Sequence, residues 1–147
     1  MNIIVMNKSQ AEDYSRTSHK DKSIIISITN HAFGSPLITP CNINGIIDVK
    51  FLKFNDTDST ERIYGGITEE DAVEISNFVK KYEKMPVIEN IIVHCDAGQS
   101  RSAGVAAAIM KYMFNDDTPI FNNHKYKPNM LCYRRVLNAL MIDDNWG

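Results

Sequence analysis

The chain has 147 residues, 44% of them hydrophobic and 23% charged, with a formal net charge of −2. Such a length holds one ordinary domain around a single core, and the composition is that of a globular chain rather than a disordered one. A nearly balanced charge argues against broad electrostatic binding to nucleic acid or anionic lipid, and no apolar run approaches the roughly 20 residues needed to span a bilayer.

The expected elements follow in chain order. Residues 2–6 are short and apolar and read as a first strand. They lack the basic stretch that opens a leader peptide. Residues 9–16 are polar and suit a short helix. Residues 22–29 hold Ile24, Ile25, Ile26 and Ile28, a β-branched run expected of a buried strand. Gly34, Pro36 and Pro40 mark a loop. A strand is expected over 46–54, followed by a polar loop over 55–60 that carries Asp56 and Asp58.

The clearest helix spans 68–85. Thr68 and Asp71 form a capping-box pattern, Glu69 and Glu70 suit the positive end of the helix dipole, and Pro86 stops the run. Ala72, Ile75, Val79 and Tyr82 recur at helical spacing. Ile91, Ile92 and Val93 make a short buried strand. Residues 102–114 are nearly all apolar and predict a helix buried on most sides. A polar loop over 123–127 leads to Pro128-Asn129, with Asn129 as N-cap of a last helix. Its expected apolar face is Met130, Tyr133, Val136, Leu137 and Leu140. Strands alternating with helices imply one α/β domain over 1–147, with a largely parallel central sheet flanked by helices.

The stretch His94-Cys95-Asp96-Ala97-Gly98-Gln99-Ser100-Arg101-Ser102 carries the chemistry. Cys95 stands where a strand ends and Arg101 where a helix begins. Gly98 permits a tight turn between them. Successive backbone N–H groups of residues 96–101 can point inward as an anion nest, and the helix N-terminus adds partial positive charge at the same spot. Arg101 can give two parallel hydrogen bonds to phosphate oxygens. The cradle that attracts a phosphate dianion also favours the thiolate, the nucleophilic form of cysteine. Ser102 is placed to donate to the Cys95 sulfur, and His94 to order the loop.

His94-Cys95-x5-Arg101-Ser102 resembles the active-site loop of the protein tyrosine phosphatase superfamily, and most closely its small dual-specificity-type members from bacteria and phages. Softer likenesses lie in 24–29, in Phe54-Asn55-Asp56, in the helix start at 68–72, and in Pro128-Asn129 with Arg134 or Arg135. The resemblance implies the phosphatase fold and hydrolysis of phosphate monoesters through a phosphocysteine, with no metal or other cofactor. It implies phosphotyrosine proteins as substrates, phosphoserine and phosphothreonine being admitted too. It places the general acid on a loop before the cysteine. Asp56 and Asp58 stand 39 and 37 residues ahead of Cys95, and Asp56 follows the aromatic-x pair as in the family. Asp96 and Gln99 stand where phosphoinositide phosphatases carry lysines.

Two other readings remain open on the residues. One is a phosphatase for a small molecule or an RNA 5′ end. The other is a catalytically idle module that binds phosphotyrosine. Cys41 and Cys132 have no zinc or disulfide spacing with Cys95 and are expected as reduced thiols that pack in the core. A protective disulfide with an oxidised Cys95 is the alternative. His31 is expected as an ordinary loop histidine. Arg134 and Arg135 face different directions on the last helix, and Met110, Met113 and Met130 are expected as core fillers. The whole points to a cytoplasmic monomer whose partner is a phosphorylated protein or a small phosphomonoester, with no nucleic acid and no membrane.

Overall fold

The computed structural model describes residues 1–30 and 45–142. The expectations for Gly34, Pro36, Pro40, His31 and Cys41 lie outside these residues. In chain order the elements are β1 (Asn2–Met6), α1 (Lys8–Ser15), β2 (Lys22–Thr29), β3 (Ile46–Lys53), α2 (Glu69–Tyr82), β4 (Ile88–His94), α3 (Arg101–Phe114), a four-residue α4 (Thr118–Phe121) and α5 (Met130–Leu140). The strands form one sheet in the order β1-β4-β2-β3, and every neighbouring pair is parallel.

Strand alternation divides the apolar residues between two cores. Ile24, Ile26 and Ile28 of β2 and Ile91 and Val93 of β4 face the larger one, which α2, α3 and α5 complete. Ile25 and Ile92 face the opposite side and meet Ala11 of α1 and Ile46. Strands covered on both faces read as continuous apolar runs, which is why β2 and β4 stand out in the sequence. Two of the buried polar side chains on these strands, Ser23 and Asn90, are paired with each other. Asn90 donates to Ser23 Oγ at 3.1 Å, and Tyr14 Oη lies 3.1 Å from the same oxygen.

The helix starts follow their caps. Thr68 Oγ1 accepts from Asp71 N and the Asp71 carboxylate accepts from Thr68 N, both at 3.0 Å. A second capping box, Asn7 with Gln10, starts α1 one residue before the expected position. α2 ends at Tyr82, three residues short of the predicted end, because Pro86 disfavours helical backbone at the residue before it. Met85 lies beyond the helix in a turn, bonded from its N–H to Tyr82 O at 3.0 Å.

On α5, Val136 and Leu140 are buried and Tyr133 and Leu137 pack against the core as expected, and Met130 departs from expectation. Leu131, Cys132, Val136, Ala139 and Leu140 are buried, whereas Met130 is 36% exposed. Asn129 caps the helix, so Met130 occupies its first position and borders an open cleft instead of filling the core. Met110 is buried and Met113 packs against the core as expected. Arg135 Nη1 donates to Ile67 O at 3.1 Å while Arg134 is exposed.

Candidate active site

Because all four strands run the same way, their C-terminal ends share one edge of the sheet, where open α/β sheets bind ligands. Met6 ends β1, Asn30 follows β2, Phe54 to Asp56 follow β3, and Cys95 follows β4. Residues spread from position 6 to position 129 of the chain therefore meet around one loop.

That loop is held from outside by its carbonyls. Asp96 O accepts from Lys8 N at 3.2 Å, Gln99 O from Lys127 N at 2.8 Å, and Ser100 O from Gly104 N and Asn129 N, both at 2.9 Å. In a trans peptide the C=O and N–H point oppositely. The N–H groups of Ala97, Ser100 and Arg101 are thereby turned away from these partners, toward the inside of the loop. Gly98 has φ +67°, and a Cβ there would lie 2.8 Å from Asn7 N and 2.9 Å from Met6 O. Only glycine fits the loop this tightly against the β1–α1 turn.

Cys95 is 2% exposed, with Ser102 Oγ 3.0 Å from its sulfur and Ser102 N donating to it at 3.5 Å. His94, on the opposite face of β4, places Nε2 2.6 Å from Ser27 Oγ and Nδ1 3.4 Å from Cys95 O. Burial makes its ring harder to protonate than an ordinary histidine, the Cys95 carbonyl and Asp96 opposing this.

Arg101, at the start of α3, is 5% exposed. Nη1 donates to Asn30 Oδ1 at 2.5 Å and to Phe54 O at 2.8 Å, and Nη2 lies 3.4 Å from Asp96 Oδ2. Its Nε is buried without a partner among the described residues. A buried, unpaired donor on a permanent cation is costly, and a bound anion would satisfy it.

Asp56 stands at the rim. Oδ1 accepts from Ser100 Oγ at 2.8 Å and from Asn129 Nδ2 at 2.9 Å, so the loop carrying the thiol and the N-cap of α5 both hold it. Asp58 is also exposed, and a cleft of about 380 Å³ runs from Asp56 and Ser100 past Asp58 and Lys127 to Met130. A roomier cavity of about 540 Å³ lies among Lys53, Arg62, Arg135 and the acidic start of α2. No residue from 94 to 102 lines it, so cavity size does not track the chemistry here.

The structure thus brings Asp56, rather than Asp58, into hydrogen bonding with the loop over 94–102, and adds two residues. Asn30 bonds Arg101, and Asn129 bonds Asp56. Asn129 carried a helix-cap signal and a soft family likeness in the sequence, but nothing that tied it to Asp56. Asn30 carried none, because its place depends on β2 lying beside β4. Cys132 is fully buried, and burial, reinforced by the nearby Asp56 carboxylate, pushes its thiol up and away from reactivity. Among the described residues no group of three or more His, Cys, Asp or Glu side chains could hold a metal ion, and no helix is long and apolar enough to cross a membrane.

Residues 69–140 match the family model described as the Rit1 DUSP-like domain. No curated protein matches the sequence. Among solved structures, the human tyrosine phosphatase-like serine/threonine/tyrosine-interacting protein superposes with a TM-score of 0.62 at 17% identity, over 93% of this chain and 89% of that one. Human DUSP28 gives 0.57 at 10% identity, over 94% and 90%. PTPMT1 gives 0.56 at 15% identity, over 95% and 89%. At these identities the likeness is one of fold: the chain has the α/β fold of the dual-specificity and tyrosine phosphatases.

Proposed function

We propose that this protein hydrolyses phosphate monoesters by a cysteine-dependent, two-step mechanism. The Cys95 thiolate attacks phosphorus while the bond to the leaving oxygen breaks. Asp56 gives that oxygen a proton. Ser102 and the inward N–H groups stabilise the thiolate, and Arg101 with residues 96–100 holds the phosphoryl oxygens. Water then attacks the phosphocysteine, Asp56 takes its proton, and the S–P bond breaks to release phosphate and the thiolate. His94 orders the loop from below.

The observation that carries this reading is the Nε of Arg101, buried and without a partner among the described residues, in the helix that follows the thiol loop. The large majority of buried side-chain donors are paired, so an unpaired one on a cation beside the thiol loop suits an anion site. The substrate class we propose is a phosphotyrosine protein. Asp96, whose side chain is 42% exposed at the loop, repels further negative charge and disfavours multiply phosphorylated ligands. A soluble cytoplasmic monomer suits this reading.

The test is hydrolysis of p-nitrophenyl phosphate with a chelator present. Wild type should turn over and Cys95→Ser should not. Activity surviving in Cys95→Ser sinks the thiol mechanism. An inactive wild type that still binds phosphotyrosine becomes the idle binding module. Rates on a phosphotyrosine peptide against a 5′-phosphorylated RNA then decide between protein and RNA substrates.

A further inference from the structure

We infer that Asn129 is a positioning residue for the proton-transfer step, because its carboxamide clamps Asp56 through Oδ1 and leaves Oδ2 to carry the catalytic proton. This rests on the proposed phosphatase chemistry and assigns a role within it.

Asn129 is 6% exposed and all its polar groups are engaged. Oδ1 accepts from Cys132 N at 2.9 Å, which is the N-cap bond of α5. The backbone N–H donates to Ser100 O at 2.9 Å, and the carbonyl accepts from Tyr133 N at 3.0 Å. The amide nitrogen donates to Asp56 Oδ1 at 2.9 Å and to Thr57 O at 3.0 Å. A cap needs only the side-chain oxygen, and Asp, Ser or Thr would serve equally. The NH2 group is surplus to capping, and both its hydrogens go to residues 56 and 57. The amide orientation follows from the network. Turned over, its NH2 would face the Cys132 N–H donor, and its oxygen would face the Asp56 carboxylate.

Asp56 is otherwise an exposed loop residue, yet Asn129 and Ser100 converge on the same oxygen. Oδ2 has no partner among the described residues. An oxygen that already accepts two hydrogen bonds is the poorer site for a proton, so the acid form carries its proton on Oδ2. Ser100 and Asn129 are themselves joined by the backbone bond from Asn129 N to Ser100 O. The clamp therefore ties the acid to the same loop that holds the thiol.

The experiment uses Asn129→Asp and Asn129→Ser, both of which keep an N-cap acceptor, assayed on aryl phosphates of graded leaving-group acidity. Asn129→Asp should lose about 10- to 100-fold in kcat/KM on phenyl phosphate, no more than the lower end of the roughly 10²–10⁴ that a general acid supplies, and far less on the most acidic leaving group. Log kcat/KM should fall more steeply with leaving-group basicity. The alkaline limb of its pH profile should move to higher pH, because two adjacent carboxylates share a proton. In an Asp56→Ala background Asn129→Asp should have no further effect on the slope. A merely structural role would lower all substrates alike. An unchanged slope in folded Asn129→Asp, or the same loss in the Asp56→Ala background, overturns the inference. Should Asn129→Asp fail to fold, Asn129→Ser carries the slope test with the same two outcomes. A wild type without Cys95-dependent turnover overturns the proposed function itself and this role with it.

Discussion

The two loops of the site are built in opposite ways. The loop over 95–101 is braced by backbone: its carbonyls bond Lys8, Lys127 and Asn129, and its glycine packs on Met6 and Asn7. The loop that carries Asp56 is exposed and reaches the site through side chains, with Ser100 and Asn129 holding one carboxylate oxygen. A cradle must present fixed dipoles to an anion, and fixed dipoles need backbone that cannot turn. A group that gives and then takes a proton needs solvent access and a tether, not burial. Arg101 joins the two, because its guanidinium bonds Phe54 O at the root of the acid loop.

The difference can be broken from either side. The largest expected effect is at the acid. Asp56→Ala should slow p-nitrophenyl phosphate turnover by roughly 10²–10⁴ with little change in thermal midpoint, whereas Asp58→Ala should stay within about twofold. Equal losses in the two variants would show that neither loop carboxylate is singled out. On the cradle side, Gly98→Ala combines a positive φ with atoms at 2.8 and 2.9 Å. It should cost about 1–3 kcal/mol in urea unfolding and lower affinity for inorganic phosphate. A Gly98→Ala protein of wild-type stability would mean the β1–α1 turn yields easily.

The smallest effect concerns the support beneath the cradle. Burial lowers the proton affinity of His94 in the folded state. The unfolded chain binds that proton more readily, so the contribution is fully present above the unfolded value of about 6.5 and is lost as pH falls below it. Wild type should lose stability between pH 7.5 and 5.5 in urea unfolding, and His94→Gln should lose less over the same range. Identical slopes would remove His94 from the account.

Local patterning by itself determined most of the elements. The isoleucine runs of β2 and β4, the capping box at Thr68 and the apolar stretch of α3 are signals within one segment, and each appears where expected. The cysteine-to-arginine spacing marked the cradle for the same reason: strand end, tight turn and helix start are contiguous. The short turn Arg62–Tyr64 and α4 were not legible, because elements of three or four residues have no period to read. Asn30 beside Arg101 and Asn129 on Asp56 came only from the tertiary structure. These contacts join residues 71 and 73 positions apart, and they exist because parallel strands deliver every C-terminal end to one edge. Spacing along a chain carries chemistry that one turn of backbone can assemble; a clamp closed between β3 and α5 is decided by how the sheet and helices pack.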